Sequence, residues 1–156
     1  MKTIFICNLI AIALVAAVLI PLAAAEGSNY ATYTQRIYKA ASKNGSHLRA
    51  VIVNGISINS IDAQGNTALI LAAAANQPRV AALLINNGAN VDIQNQVGDT
   101  ALMQAAANGA AEIAILLLDA NANPDIKNRK GQTALQIAHE AGFEDIAGII
   151  GRCGGH

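Results

Sequence analysis

Tryptophan is absent, and all aromatic residues together make up 3% of the 156-residue chain. A ligand pocket walled by large rings is therefore excluded as the basis of function, and any core must be assembled from many small contacts. Charge is equally sparse: 10 basic and 10 acidic residues leave no net charge. The chain has no overall field with which to attract nucleic acid, an anionic membrane or an acidic substrate, so nucleic acid is not expected as a partner. The two cysteines, Cys7 and Cys153, are too few for a disulfide framework. Histidine occurs at three positions only, His47, His139 and His156, far apart in sequence.

What the chain does have is apolar residues, 53% of the total, in two distinct arrangements. The first is an N-terminal leader. Lys2 precedes an apolar run from Ile4 to Ile20 interrupted only by Asn8, followed by Pro21-Leu22 and Ala23-Ala24-Ala25. A basic start, an apolar stretch, a helix-breaking proline and small residues at −3 and −1 form the pattern read by signal peptidase, with cleavage expected between Ala25 and Glu26. The competing expectation is a retained anchor, since the run approaches the roughly 20 residues that span a bilayer. Cleavage would remove Cys7 and leave Cys153 alone, a free thiol or an intermolecular link in a periplasmic or secreted protein. After cleavage no membrane association is expected, and a monomer is.

The second arrangement is a repeat. Gly65-Asn66-Thr67-Ala68-Leu69, Gly98-Asp99-Thr100-Ala101-Leu102 and Gly131-Gln132-Thr133-Ala134-Leu135 begin at positions 65, 98 and 131, a spacing of 33 both times. Ala72-Ala73-Ala74-Ala75 falls opposite Ala105-Ala106-Ala107. Val80, Leu83 and Leu84 fall opposite Ile113, Leu116 and Leu117, and Gly88-Ala89-Asn90-Val91-Asp92 opposite Asn121-Ala122-Asn123-Pro124-Asp125. Thr67, Thr100 and Thr133 each precede an apolar-periodic run, where a hydroxyl accepts an unpaired N–H of the first helical turn. The alanines give the first helix of each unit a side without bulk. The i, i+3, i+4 spacing of the second gives a stripe that one unit alone cannot bury. Gly55, Gly88 and Asn121 stand where a second helix must end in a left-handed residue.

This period and internal order resemble the ankyrin repeat. The resemblance implies an all-α solenoid of stacked helix-turn-helix units joined by β-hairpin-like loops. The expected division is a capping unit over 30–61, repeats over 62–94 and 95–127, a C-terminal capping unit over 128–151, and a loose tail over 152–156. The degenerate first unit carries Ile37, Ala40 and Ala41 on one helix and Leu48, Val51 and Ile52 on the next. Tyr30, Tyr33 and Tyr38 are expected to shield its open edge. The family's Pro and His are missing from every unit, where Ala68-Leu69-Ile70, Ala101-Leu102-Met103 and Ala134-Leu135-Gln136 stand instead. Repeats somewhat less stable than ideal ones are expected, through loss of a rigid first residue and of a polar link between units. Gln104 occupies the slot of Leu71 and Ile137, as a packing imperfection or a point where a partner's backbone is read.

The resemblance also implies a function: binding another protein against the face made by hairpin tips and first helices, without catalysis and without a cofactor. Position by position the face comprises Ala63, Gln64, Asn66, Ala74 and Ala75 in the second unit. It continues through Gln96, Val97, Asp99, Ala107 and Asn108 in the third and Arg129, Lys130, Gln132, Glu140 and Ala141 in the fourth. Lys127, Arg129 and Lys130 form the one basic cluster, a solvated tip or an acidic docking point. The expected role is adaptor or stabiliser of an exported protein, with an inhibitor or immunity protein against an exported toxin or enzyme as the alternative. A metal or redox protein built on Cys153 and His156 is a third class, but half of any such ligand set is missing. His139, in place of the second Ala of the pair, reads as a partly exposed residue of the cap, and Glu140, Glu144 and Asp145 as a solvated helix end.

Overall fold

The computed structural model describes residues 33–43, 48–50, 52 and 55–153. The leader over 1–25 with its cleavage point, Tyr30, His47, Val51 and His156 lie outside the described residues. Within them the chain forms helices throughout: α1 (33–43), α2 (helical at 48–50 and 52), α3 (Ala68–Ala74), α4 (Pro78–Asn86), α5 (Ala101–Ala107), α6 (Ala111–Asp119), α7 (Ala134–Ala141) and α8 (Glu144–Cys153). Apart from one isolated antiparallel bridge between Ile61 and Thr67, no extended pairing occurs among the described residues. The architecture is the all-α repeat solenoid that the resemblance implies.

The same local chemistry starts and stops each unit. Thr67, Thr100 and Thr133 hold extended backbone at the helix entry, and their hydroxyls accept the N–H of Ile70, Met103 and Gln136. At the third entry Gln136 reaches back to the N–H of Thr133, which completes a capping box. The first helices end where the chain turns left-handed at Asn76, Gly109 and Gly142, positive-φ residues 33 apart that sequence periodicity had left unremarked. Behind each turn one backbone bond recurs, from Gln77 N to Ala72 O, Ala110 N to Ala105 O and Phe143 N to Ala138 O, each 2.9 Å. The second helices open with Pro78 at the first position, or with Glu112, Glu144 and Asp145 in the first turn, where a missing N–H is harmless and a negative charge meets the positive helix end. Gly88 (φ 86°) and Asn121 (φ 62°) close α4 and α6.

Helices α3, α5 and α7 stack side by side as an inner row and α4, α6 and α8 as an outer row, each inner helix also packing on the outer helix of its own unit. Ala72, Ala73, Ala105 and Ala106 are fully buried in the inner row; Leu84, Ile113 and Leu117 fill the space between rows. Small residues let adjacent backbones approach, and the apolar stripe of each outer helix is covered only because a neighbour follows. Ile70 and Met103, where the family's histidine is missing, are buried apolar residues, so this position contributes packing in place of a polar link.

The two ends are built differently. On α1, Thr34, Ile37, Ala40 and Ala41 are buried while Gln35, Arg36, Lys39, Ser42 and Lys43 face outward. Thr34 is the register mate of Thr67 yet lies inside its helix, where its hydroxyl donates to Ser60 O at 2.9 Å. Tyr33 and Tyr38 are half-buried against the core. At the other end α8 continues to Cys153, so Arg152 and Cys153, read from sequence as tail, are helical. Ile146, Ala147 and Ile150 are buried at i, i+1, i+4, and that packing outweighs the helix-weakening effect of Gly148 and Gly151, roughly 1 kcal/mol each.

Between units the chain makes a tight hairpin-like turn whose tip is glycine in a left-handed conformation. At Gly98 an added Cβ would lie 2.7 Å from Arg129 N, and at Gly65 2.9 Å from Gln96 N, whereas at Gly131 it would meet nothing. Gly131→Ala is therefore expected to cost only the left-handed conformational penalty, on the order of 1 to 2 kcal/mol. Gly98→Ala carries the same penalty plus separation of two stacked turns. Urea unfolding of the two variants beside the parent should rank Gly98→Ala clearly less stable; equal losses would show that the close approach of the turns contributes nothing.

Candidate partner-binding face

The face is organised by one residue per turn. Asp62 Oδ1 accepts the backbone N–H of Gln64 and Asn66; Asn95 Oδ1 accepts those of Val97 and Asp99; Asn128 Oδ1 accepts those of Lys130 and Gln132, all within 2.8–3.1 Å. One oxygen thus ties down both N–H groups of the turn's inner side, the Asx geometry that these side chains favour. The second side-chain group then reaches the preceding unit: Asn95 Nδ2 donates to Asn66 Oδ1 and Asn128 Nδ2 to Asp99 Oδ1, both at 2.9 Å. A carboxylate has no N–H to offer, so asparagine is required wherever the residue must donate backwards. Asp62 instead accepts from its own unit's Asn66 at 3.2 Å.

Backbone bonds run the same way. Gln96 N donates to Gln64 O (3.0 Å) and Arg129 N to Val97 O (3.1 Å), while the Gln96 and Gln94 side chains donate to Ala63 O (2.8 Å) and Lys127 O (3.0 Å) of the adjoining units. In the loops that lead from the second helices into these turns, a second seam joins Asn90 N to Asn59 Oδ1 and Asn123 N to Asp92 Oδ1. These hydrogen bonds supply polar links between units that lack the family's histidines.

The residues expected to meet a partner therefore divide into two groups. Asn66, Gln96 and Asp99 belong to the seam; Asn108 caps α5 by donating to Gln104 O at 2.8 Å, apart from the others; and Gln132 Nε2 is held by Glu140 Oε2 at 2.6 Å. Gln104, the polar residue in an apolar slot, is half-buried and donates to Asp99 Oδ2 at 3.1 Å, so it is a member of the same network. Gln64, Val97, Arg129 and Lys130 leave their side chains uncommitted. The structure brings the last three together: with Asp99 and Asn128 they line a depression of about 240 Å³ between adjoining turns. Further along the inner helices, Tyr38 and Lys39 of α1 and Leu71, Ala74 and Ala75 at the α3 end border a shallow, mostly apolar groove of about 630 Å³. Tyr38, read from sequence as an edge shield, serves both ends: it packs on the core and walls this groove. The keystones Asp62, Asn95 and Asn128 were missed by sequence reasoning, although an Asx residue recurs there at 33-residue spacing.

The family model for Ankyrin repeats (3 copies) matches residues 22–95 and, overlapping, 80–153. The chain belongs to the ankyrin-repeat family. No curated protein matches it. Ankyrin repeats generally mediate protein–protein interaction and are typically non-catalytic binding modules. Among the described residues, no three His, Cys, Asp or Glu side chains come together as a metal would require, and no helix is long and apolar enough to cross a membrane. Cys153 is an exposed free thiol. His139 Nδ1 lies 3.0 Å from Glu144 Oε2, a contact that is ionic only with a protonated imidazole and is more than half exposed on both sides. Pairs of this kind contribute less than about 1 kcal/mol, and this one joins the last two helices of the ankyrin stack.

This division of labour predicts opposite results for two neighbouring residues on one face. Asp99→Ala removes the acceptors of Asn128 and Gln104 and is expected to lower the unfolding free energy by about 1 to 3 kcal/mol. Lys130→Ala should change it by less than about 0.5 kcal/mol. Chemical denaturation of both variants measures the difference directly.

Proposed function

We propose that this ankyrin protein is an exported, non-catalytic binding module that holds a protein partner against its hairpin and inner-helix face, as an adaptor or stabiliser of that partner. The observation that carries the reading is the groove beside Tyr38, Leu71, Ala74 and Ala75, together with the depression at Val97, Arg129 and Lys130. One is bordered by inner-helix residues and the other by hairpin-turn residues, and the turns at Asp62, Asn95 and Asn128 are tied to one another by hydrogen bonds. A rigid surface loses little entropy on binding, so a mildly polar face of this kind gains affinity through shape and buried area. Export is supported by the leader pattern ending at Ala25.

Two measurements test the proposal. Ala74 is exposed on the groove and Ile115 is exposed on α6 of the outer row. A bulky charge at the first, Ala74→Glu, is expected to abolish capture of the partner from the native envelope fraction and to weaken the purified pair by roughly tenfold or more; Ile115→Glu should leave both unchanged. Capture insensitive to Ala74→Glu would refute the assigned face. The identity and activity of the captured protein separate a stabiliser from an inhibitor. Intact mass of the protein recovered from the envelope is expected to correspond to a chain beginning at Glu26; recovery of the uncleaved chain would replace export by anchoring.

A further inference from the structure

We infer that the depression between the turns at Asn95 and Asn128 is a reading site for a protein segment that places an acidic side chain next to an apolar one. The inference rests on the binding face proposed above and names the partner chemistry at one end of it. Three observations converge there. Val97 is 57% exposed, the most exposed large hydrophobic residue described, and it stands at a tip position whose register mates are polar, Gln64 and Lys130. A single exposed apolar side chain is ordinary by itself; what sets Val97 apart is that it lines one depression with two cations. Arg129 and Lys130 are exposed on the adjoining turn, and neither forms an ion pair with any described residue. The acid that lines the same depression, Asp99, is half-buried and its two oxygens accept from the Asn128 and Gln104 amides; it keeps its charge but forms no ion pair with either cation, which leaves both able to meet a second carboxylate.

The site is also held in shape before anything binds. Arg129 N donates to Val97 O, and Asn128 Oδ1 accepts from Lys130 N. The two turns thus hold the backbones of Val97, Arg129 and Lys130 in fixed register, with the two cationic side chains free to close on a ligand. A carboxylate suits the guanidinium and ammonium, and an adjacent aliphatic side chain suits Val97 and the about 240 Å³ between the turns. Nucleic acid is disfavoured because a chain without net charge offers two cations here and no continuous track for a phosphate backbone.

The experiment is a selection of short random peptides displayed on phage, run against the full chain and against the double variant Arg129→Glu, Lys130→Glu, after thermal melts confirm that both are equally folded. The parent should enrich peptides with Asp or Glu beside Leu, Ile or Val. The charge-reversed variant should enrich Lys or Arg beside the same apolar residues. A synthetic peptide carrying the parental motif should bind the parent and lose roughly tenfold or more in affinity to the double variant and to Val97→Ser, in line with loss of a charge pair at a partly desolvated site. Identical peptides from both selections, peptides without a carboxylate, or no enrichment at all would overturn the inference. Peptides insensitive to the tip variants but lost with Ala74→Glu would overturn it while leaving the proposed binding face standing.

Discussion

A single side-chain oxygen per turn, on Asp62, Asn95 and Asn128, does more to shape this molecule than any other polar group. Each tight turn has two N–H groups that no strand partner satisfies, one of them half-buried, where an unpaired donor costs on the order of 1 to 3 kcal/mol. The Asx oxygen accepts both, and the amide of Asn95 and Asn128 then ties the turn to the one before it. Once the turns are locked, the direction in which each inner helix departs is set, and with it the face offered to a partner. Asp62 shows the logic from the other side: its second oxygen accepts an amide from within its own unit, so a carboxylate serves there where asparagine is needed in the next two units.

Packing supplies the rest of the cohesion, and it does so without large residues. Fully buried alanines bring the inner helices close, while one leucine or isoleucine per turn of the outer helices fills the remaining space. Because every unit leans on its neighbour, the ends must solve a problem the middle does not have. The polar outer side of α1 and the change from Ile70 and Met103 to the exposed Gln136 on α7 are the two solutions. Phe143 adds a third contact by laying its ring against Gly109 of the preceding unit, close enough that a Cβ at that glycine would collide with it.

This construction leaves few side chains free to read a partner. Most polar residues on the hairpin face are spent on holding the face in place, and what remains is an apolar groove at one end and a valine with two cations at the other. In an ankyrin stack the scaffold and the reading surface interpenetrate residue by residue, and polarity alone does not tell one from the other. Asp99 and Lys130 are both charged and both line the same depression, yet one is a structural acceptor and the other projects into solvent.

The helical units, their order, their threonine caps and the left-handed residues at Gly88 and Asn121 were all legible in the linear chain. These depend on neighbours three to five residues away, and a 33-residue period repeats them. The roles of Asn95, Asn128, Gln96 and Gln104 were not legible, because their partners lie in an adjoining turn or are themselves members of the seam. Nor was the end of α8, where burial of Ile146 and Ile150 carries the helix past two glycines. Apart from the end of α8, local chemistry determined which segments become helices and where they stop. Only the stacking of one unit on the next decided which polar groups are consumed between units and which are left to bind, since that depends on what lies across the interface.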